Sequence, residues 1–301
     1  MKKISLYILS VLFISFLFNG CGQSDNPSDN QDKITIVTTI FPYYDFARQI
    51  CTENAEVTLL LPPGLESHSY EPSAKDIIDI QNCDLFIYTG GESDEWVKDI
   101  LASFETEVET LKIIDYVEGV TEPGEVEYDE HIWTSPLYAM TITETITDKV
   151  KEIDPDKSDL YNAMSNNFLV KLDILDQDFK EFFDTVNNKT LIFGDRFPFR
   201  YFAEEYGLDY FAAFPGCSSD TEPSAGTIAS LIDKVNSESI STIFYVEFSN
   251  HKIADAIAEA TGKKTAMLHS CHNVTREDLE NGATYISLME QNLETLKEAM
   301  N

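Results

Sequence analysis

Basic residues are scarce in this sequence. Its 301 residues include 21 Lys and Arg against 53 Asp and Glu, which gives a formal net charge of −32. A surface this negative repels phosphate groups, so nucleic acid and anionic lipid are disfavoured as partners. Apolar residues still make up 43% of the chain, an ordinary fraction for a globular protein, so the charge does not indicate intrinsic disorder.

The motifs of several common enzyme classes are also missing. The chain has no GxSxG, HExxH, P-loop or GxGxxG sequence, so it offers no recognisable nucleophile or phosphate cradle. This favours a binding protein over an enzyme. An extracellular zinc hydrolase stays open as an alternative, because it needs only a metal with an open coordination position and a general base. Glu66 or Glu247 could serve as that base.

Cysteine is sparse, and none of it has the spacing of a thiolate metal cluster. No CxxC pair occurs, which makes such a cluster a poor explanation of the sequence. Outside the cytoplasm, the even number of cysteines beyond Cys21 is compatible with disulfides in three connectivities. We predict Cys51–Cys83 and Cys217–Cys271, because each bond then stays within one half of the chain.

The first residues predict an export signal. Lys2 and Lys3 precede an uncharged stretch, residues 4–18, which leads to a small residue, Gly20. This order is typical of a secretory signal, and the stretch is short for a transmembrane helix, which needs roughly 20 apolar residues. The sequence therefore predicts a signal peptide over residues 1–20.

Cys21 follows this signal and is predicted to be a lipid anchor. Its setting resembles the bacterial lipobox, although Phe18 stands where Leu is preferred. An ordinary secreted protein with an incidental cysteine is the alternative. The polar residues after Cys21 favour the lipoprotein, since residues 21–32 have the composition of a flexible tether. The predicted location is extracytoplasmic, with the protein anchored to the bacterial membrane.

Eight short apolar runs predict the strands of two parallel sheets. A chain of this length is more often built as two lobes than as one. Runs bounded by Pro, Gly or Asp are typical of buried parallel strands, and the amphipathic stretches between them imply right-handed βαβ crossovers. The runs are residues 34–39, 57–64, 84–91 and 111–117 in the first half, and 190–195, 209–216, 242–248 and 264–270 in the second.

A long helix is predicted between the two halves. From Leu160 to Val186 apolar residues recur every three or four positions, and Asp154-Pro155 suits the start of a helix. The alternative is two helices with a break at Asp173 or at Asn166-Asn167. The predicted fold is α/β, with two parallel-sheet lobes facing each other across a metal cleft. Its parts are an N-terminal lobe over residues 33–153, a linking helix over 154–187 and a C-terminal lobe over 188–301.

Histidine is rare, and most of it follows a predicted strand. Ligands of open parallel sheets bind beyond the carboxyl ends of the strands. Four of the five histidines lie in such loops: His68, His131, His269 and His272. His251 starts a helix and is predicted to be a surface residue. Asp195 and Glu247 also end strands, and imidazole and carboxylate together suit a first-row divalent metal.

Five segments give the chain a family resemblance. They are TTIFPYYDFARQI, LLPPGLESHSYEPSAKDI, DLFIYTGG, EHIWTSP and ATYISLMEQNLETLKEAM. With them the chain resembles the metal-binding lipoproteins of zinc and manganese ABC uptake transporters over nearly everything after the tether. The resemblance implies two α/β lobes bridged by a rigid helix. It also implies one divalent ion in the cleft, with two ligands from each lobe, and delivery of that ion to a membrane permease.

Two of the four implied ligands match directly. His68 corresponds to the first ligand of the family and His131 to the second. At the expected place of the third stands Arg196, with Asp195 beside it. An arginine stays protonated and cannot ligate a cation. Either Asp195 takes this role, or the site lacks that ligand and Arg196 pairs with a nearby carboxylate.

The fourth implied ligand falls in the sequence LHSCHN after the last strand. We predict His269, with His272 and Glu247 as alternates and Cys271 if it is reduced. Three imidazoles and one carboxylate favour Zn2+ over Mn2+, whose sites are richer in oxygen. The loop before His131 is acidic, so the support that a histidine-rich loop would give to zinc is missing.

Together these features predict an extracytoplasmic solute-binding lipoprotein with no enzymatic activity. It would capture a divalent metal ion, zinc or alternatively manganese, and deliver it to an ABC transporter permease. We expect a monomer that contacts the membrane through its lipid anchor. The alternatives are a surface adhesin whose metal is structural and the extracellular zinc hydrolase.

Overall fold

The computed structural model describes residues 33–119, 128–214 and 223–300. The predicted signal peptide, the tether with Cys21, and Cys217 lie outside these residues. Within the described ranges, no helix combines the length and the apolar character needed to cross a membrane.

The N-terminal lobe contains a parallel sheet with the strand order β2-β1-β3-β4. Each of the four apolar runs predicted for this half forms one strand. Ile36 of the first strand pairs with Val57 on one side and Leu85 on the other. The strands are β1 (Ile34–Thr38), β2 (Ala55–Leu59), β3 (Leu85–Tyr88) and β4 (Thr110–Lys112), and the helices between them are α1 (Phe41–Cys51), α2 (Ala74–Asn82) and α3 (Glu95–Ala102).

Two long helices follow, α4 (Pro136–Ile153) and α5 (Ser158–Thr185). The 28 residues of α5 run without the break considered above and span about 42 Å at 1.5 Å per residue. Asp154 and Pro155 take the predicted N-cap and first positions, but in the 3-10 turn Pro155–Lys157, which leads directly into the α-helix at Ser158. The Asp154 carboxylate accepts hydrogen bonds from Lys157 Nζ and Tyr161 Oη, so it fastens this turn.

The C-terminal lobe repeats the same topology, with the strand order β6-β5-β7-β8. All four strands predicted for this half form. They are β5 (Thr190–Phe193), β6 (Asp209–Ala212), β7 (Thr242–Val246) and β8 (Lys264–Leu268), and the helices are α6 (Arg200–Tyr206), α7 (Ala225–Ser237), α8 (Lys252–Thr261), α9 (Arg276–Glu280) and α10 (Tyr285–Met300). The predicted α/β class with two parallel sheets is confirmed.

One apolar core extends through both lobes. We call it the shared core; it includes residues of β1, β3, α1, α4, α5, β5 and α10. At its centre the ring of Phe46 lies 5.3 Å from that of Phe168 and 5.1 Å from that of Tyr285. Smaller clusters cover the opposite face of each sheet, around Phe86 in the N-terminal lobe and Ile243 in the C-terminal lobe.

The predicted Cys51–Cys83 disulfide is wrong, because both thiols are free. Cys51 packs into the shared core, whereas Cys83 packs against the outer cluster around Phe86. Alternate residues of a strand point to opposite faces, so the N-terminal sheet separates the two sulfurs. Cys271 is also free, which removes the other predicted pair, Cys217–Cys271.

Candidate metal site

A small cavity lies between the loops that follow the strands of the two lobes. Its volume is about 30 Å³, enough for one ion or one water molecule. The N-terminal lobe contributes Glu66, Ser67 and His131, and the C-terminal lobe contributes Arg196, Glu247, Ser270 and His272. The sequence rule that ligands bind beyond strand ends therefore locates this cavity correctly.

His131 reaches the cavity from the loop before α4 and is 2% exposed. Its Nδ1 lies 3.0 Å from Oδ1 of Asp129, and the same oxygen accepts the His131 backbone N–H at 2.8 Å. The other oxygen of Asp129 lies 3.2 Å from Nε of Arg200, on the opposite lobe. A proton on Nδ1, donated to Asp129, puts the imidazole lone pair on Nε2, which is the form that a metal ion requires.

His272 reaches the cavity from the loop after β8. Its Nδ1 lies 3.1 Å from Oγ of Ser67, so a side chain of the other lobe orients this ring as well. Cys271 immediately before it has a φ of 61°, in the left-handed region that non-glycine residues rarely adopt. This bend directs the chain back toward the N-terminal lobe, where the His272 carbonyl accepts the N–H of Phe41 at 3.2 Å.

The two imidazoles are spaced for a common ion. Their ring centroids are 5.4 Å apart and the rings are nearly perpendicular, at 89°. Tetrahedral zinc with Zn–N bonds of about 2.0–2.1 Å would put two such centroids about 5.2 Å apart. The fully buried Trp133 packs against both rings, at 5.3 Å from His131 and 4.8 Å from His272. Its indole N–H donates to the Ser270 carbonyl at 2.8 Å.

His269 is not brought to this cavity. It is buried and is not among the residues that line the cavity, and its Nδ1 accepts the backbone N–H of Cys271 at 2.9 Å. An acceptor at Nδ1 puts the proton on Nε2, which leaves no lone pair for a metal. The amide of Asn292 fixes the backbone by bonding both the N–H and the carbonyl of His269, each at 2.7 Å.

The two predicted carboxylates of the C-terminal lobe are engaged within their own lobe. Asp195 is not among the residues that line the cavity; its oxygens accept the backbone N–H groups of Arg196 at 2.8 Å and Val246 at 3.3 Å. Glu247 does line the cavity, but it accepts the N–H of Ser270 at 2.7 Å and the Ser270 hydroxyl.

Arg196 pairs with a carboxylate, as one of the two alternatives from the sequence expected. Its Nη2 lies 2.7 Å from Oε2 of Glu66, on the other side of the cavity. Its Nε lies 3.8 Å from Oδ1 of Asp195. The C-terminal lobe therefore presents two arginines to two carboxylates of the N-terminal lobe, Arg196 to Glu66 and Arg200 to Asp129.

His68 lies in the 3-10 turn Ser67–Ser69, directly after the cavity-lining Glu66 and Ser67. Its side chain is outside the described part of the structure. Among the side chains that are described, no three His, Cys, Asp or Glu form a ready metal cluster. His251 is 47% exposed and pairs with Asp255, as a surface residue does. Cys271 is fully buried and is not among the residues that line the cavity, and burial raises the pKa of its thiol.

Sequence reasoning missed three residues that orient the imidazoles: Ser67, Asp129 and Arg200. Asp129 could have been suspected because it precedes His131 by two residues, where a carboxylate can reach the same backbone and ring. Ser67 and Arg200 gave no such signal, since each acts on a residue that is distant in sequence.

The sequence from residue 36 to residue 299 matches the family described as ZnuA, zinc-uptake complex component A, periplasmic. It is 32% identical to the high-affinity zinc uptake system protein ZnuA of Bacillus subtilis, over 99% of this chain and 98% of that protein. It is 33% identical to the zinc-binding lipoprotein AdcA of Streptococcus pneumoniae, of which it spans only 61%. The Zn(II)-bound ZnuA-like domain of that AdcA has a similar structure, with a TM-score of 0.77, 34% identity, and coverage of 89% of this chain and 99% of the domain.

Proposed function

Because this chain belongs to the ZnuA family of periplasmic zinc-uptake components, we propose that it captures zinc outside the cytoplasm and delivers it to an ABC-type permease. The observation that carries this proposal is the pair of imidazoles, His131 from one lobe and His272 from the other, with centroids 5.4 Å apart. Asp129 contacts Nδ1 of His131, and Ser67 contacts Nδ1 of His272. Each ring is thereby oriented, and Nε2 is left as the coordinating atom.

The proposed nitrogen ligands are His68, His131 and His272. His68 follows Ser67 in a turn that borders the cavity, and its match to the first family ligand supports its inclusion. His272 replaces His269 in this set, because His272 lines the cavity and His269 does not. Asp195 is left out for the same reason.

Zinc is the proposed ion. Imidazole is a good ligand for zinc, whereas manganese sites are richer in carboxylate and water oxygens. The zinc-binding relatives, AdcA and the B. subtilis zinc uptake protein, support the same ion. Since each imidazole must be neutral to bind, affinity should fall as the solution is acidified.

The remaining parts of the proposal concern the cellular setting. The chain acts as a carrier with no chemical step of its own, and it acts as a monomer. Cys21 carries the lipid that keeps it at the outer face of the cytoplasmic membrane. The anchor is supported by the lipoprotein AdcA, to which 99% of this chain aligns. Metabolic labelling with a radioactive fatty acid should mark the wild type and leave Cys21→Ala unlabelled.

Zinc binding is tested on the purified protein without its signal peptide. We expect about one equivalent of zinc per chain, a zinc-dependent rise in melting temperature, and much weaker binding of manganese in direct competition. The membrane-side step is tested by deleting the gene and measuring zinc content in zinc-poor medium. Stoichiometric manganese that zinc does not displace would contradict the choice of ion, and no thermal response to either metal would contradict metal capture itself.

A further inference from the structure

The proposed site has three nitrogen ligands, and its oxygen ligand has still to be assigned. Zinc in proteins is most often four-coordinate, and carboxylate oxygen is a common partner of imidazole. Asp129 is already occupied by His131 and Arg200, and three further carboxylates lie at or beside the cavity: Glu66 from the N-terminal lobe, and Asp195 and Glu247 from the C-terminal lobe. They differ in how far their oxygens are already committed to the fold.

Asp195 and Glu247 are structural carboxylates. Each is less than 9% exposed, and each uses both oxygens to accept hydrogen bonds from its own lobe. Turning either carboxylate toward an ion would leave a buried backbone N–H without an acceptor, which costs about 1–3 kcal/mol. These two residues therefore shape the loops of the C-terminal lobe and are poorly suited to bind a transient ion.

Glu66 is different. It lines the cavity, and its side chain is 36% exposed, so it lies on the path between the cavity and solvent. Oε2 is held 2.7 Å from Nη2 of Arg196, whereas Oε1 accepts no hydrogen bond from any residue in the described ranges. A carboxylate held by one oxygen can offer the other to a cation without breaking a buried hydrogen bond.

Arg196 fixes the orientation of the Glu66 carboxylate. It is 10% exposed and belongs to the opposite lobe, so the ion pair spans the cavity. A guanidinium keeps its charge and cannot bind a cation itself, but it fixes the plane of a carboxylate through its planar donors. Asp195, 3.8 Å from Nε, lies on its other side and offsets part of its positive charge.

Three consecutive residues, Glu66–His68, each have a role at the proposed site. Glu66 faces the cavity, Ser67 orients His272, and His68 follows as a proposed ligand. We propose that the Glu66 side chain turns to the zinc ion and becomes its oxygen ligand when the ion binds, since with His131 and His272 it forms no ready cluster beforehand, and that Arg196 is a positioning residue that holds the Glu66 carboxylate from the other lobe. This inference rests on the proposed function, since it assigns a ligand of the same site.

The test measures metal binding by the soluble protein without its signal peptide, using zinc in chelator competition and Co2+ as a spectroscopic substitute. We expect Glu66→Gln to weaken zinc binding at least about tenfold and to change the visible spectrum of bound Co2+. Arg196→Gln should weaken it less, and the double variant should bind no more weakly than Glu66→Gln alone, because the arginine acts through the glutamate. The control is Asp79→Asn, which removes a partly exposed carboxylate paired with Lys75 in α2.

Several outcomes would overturn the inference. A zinc Kd for Glu66→Gln within twofold of the wild type would do so, as would an unchanged Co2+ spectrum at saturating metal. Faster association and dissociation with an unchanged Kd would show that the ion pair is only a gate over the cavity. Failure of the wild type to bind zinc would overturn the proposed function together with this inference, whereas an unaffected Glu66→Gln overturns the inference alone.

Discussion

The two lobes have the same strand order and the same parallel topology, yet they supply different chemistry to the cavity. The N-terminal lobe presents carboxylates at the interface, Glu66 and Asp129, together with His131. The C-terminal lobe presents His272 and two arginines that meet those carboxylates. Topology therefore decides where the loops converge, and the loop sequences decide what each lobe contributes there.

The lobes are also joined unequally on the two sides of the cavity. The loop after β8 is fixed to the N-terminal lobe by hydrogen bonds that involve the backbone, including Gly64 N–H to the Val274 carbonyl at 2.8 Å and Asn273 Nδ2 to the Leu65 carbonyl at 2.9 Å. On the other side, the contacts include the ion pairs of Arg196 and Arg200, together with a hydrogen bond from the Tyr201 hydroxyl to the Asp129 carbonyl at 2.8 Å. With a shared core beneath, access for an ion is expected through side-chain and loop movement on the arginine side.

The largest effect on zinc binding is expected from removing either of the two imidazoles, of which each lobe supplies one. His131→Ala and His272→Ala should each weaken zinc binding on the order of 100-fold or more, because each ring is a proposed ligand. The exposed His251→Ala is the matched control and should leave the zinc Kd unchanged. Isothermal titration would measure all three variants. If one lobe's variant bound zinc like the wild type, the site would belong to the other lobe alone.

The next effect is a loss of stability when the core that the lobes share is disturbed. Leu172→Ala in α5 removes a fully buried side chain of the shared core and should lower the free energy of unfolding by about 4 kcal/mol. Leu231→Ala lies in the smaller outer cluster of the C-terminal lobe, where the side chain is 4% exposed, and should cost about 2 kcal/mol. Urea unfolding followed by circular dichroism and by fluorescence should show one transition. Two separate transitions would mean that the lobes fold independently.

A loss of stability smaller than that of Leu172→Ala is expected when a charge pair between the lobes is broken. Arg200→Ala leaves Asp129 buried without its cation and should cost about 3 kcal/mol of stability. Zinc affinity should fall about tenfold as well, since Asp129 orients His131. Lys75→Ala breaks a surface pair and is the control, expected to leave the free energy of unfolding nearly unchanged. Equal melting temperatures for the two variants would show that the Arg200–Asp129 pair adds nothing to stability.

The last effect is a pH dependence that arises in the N-terminal lobe. Burial raises the pKa of the Asp94 carboxyl to about 7, so the folded protein holds a proton that the unfolded chain loses near pH 4. Stability should therefore fall as pH rises from about 4 to 7, with a slope of at most about 1.4 kcal/mol per pH unit. Asp94→Asn should remove this slope, and Asp255→Asn in the C-terminal lobe should retain it. Urea titrations at several pH values would show whether the two profiles differ.

Much of the fold could be predicted from the sequence because each element is marked by a local pattern. The run TIFYV reads as a buried strand by its β-branched and aromatic residues, and the stripe through Phe168, Leu172 and Phe179 reads as one helix. The same locality limits the prediction at Asp154. A 3-10 turn and an α-helix begin with the same residue types, and only backbone hydrogen bonds, such as that from Lys157 N–H to the Asp154 carbonyl, distinguish them.

The site was harder to predict because it depends on the direction of side chains after a strand ends. His269 and His272 are three residues apart in one loop, and the left-handed φ of Cys271 between them sends one inward and the other to the cavity. No composition or period in the sequence marks that bend. The partner of Arg196 was equally hidden, since Glu66 comes from the opposite lobe and meets it only after folding.

The position of Trp133 gives the molecule a built-in optical reporter. The chain has two tryptophans, and the other, Trp96, packs near Tyr70 on the outer side of the N-terminal sheet. Trp133 alone packs against His131 and His272, so its emission would respond to any change in the charge of those rings. Arrival and departure of an ion could thus be followed in real time without a label, with Trp96→Phe removing the background.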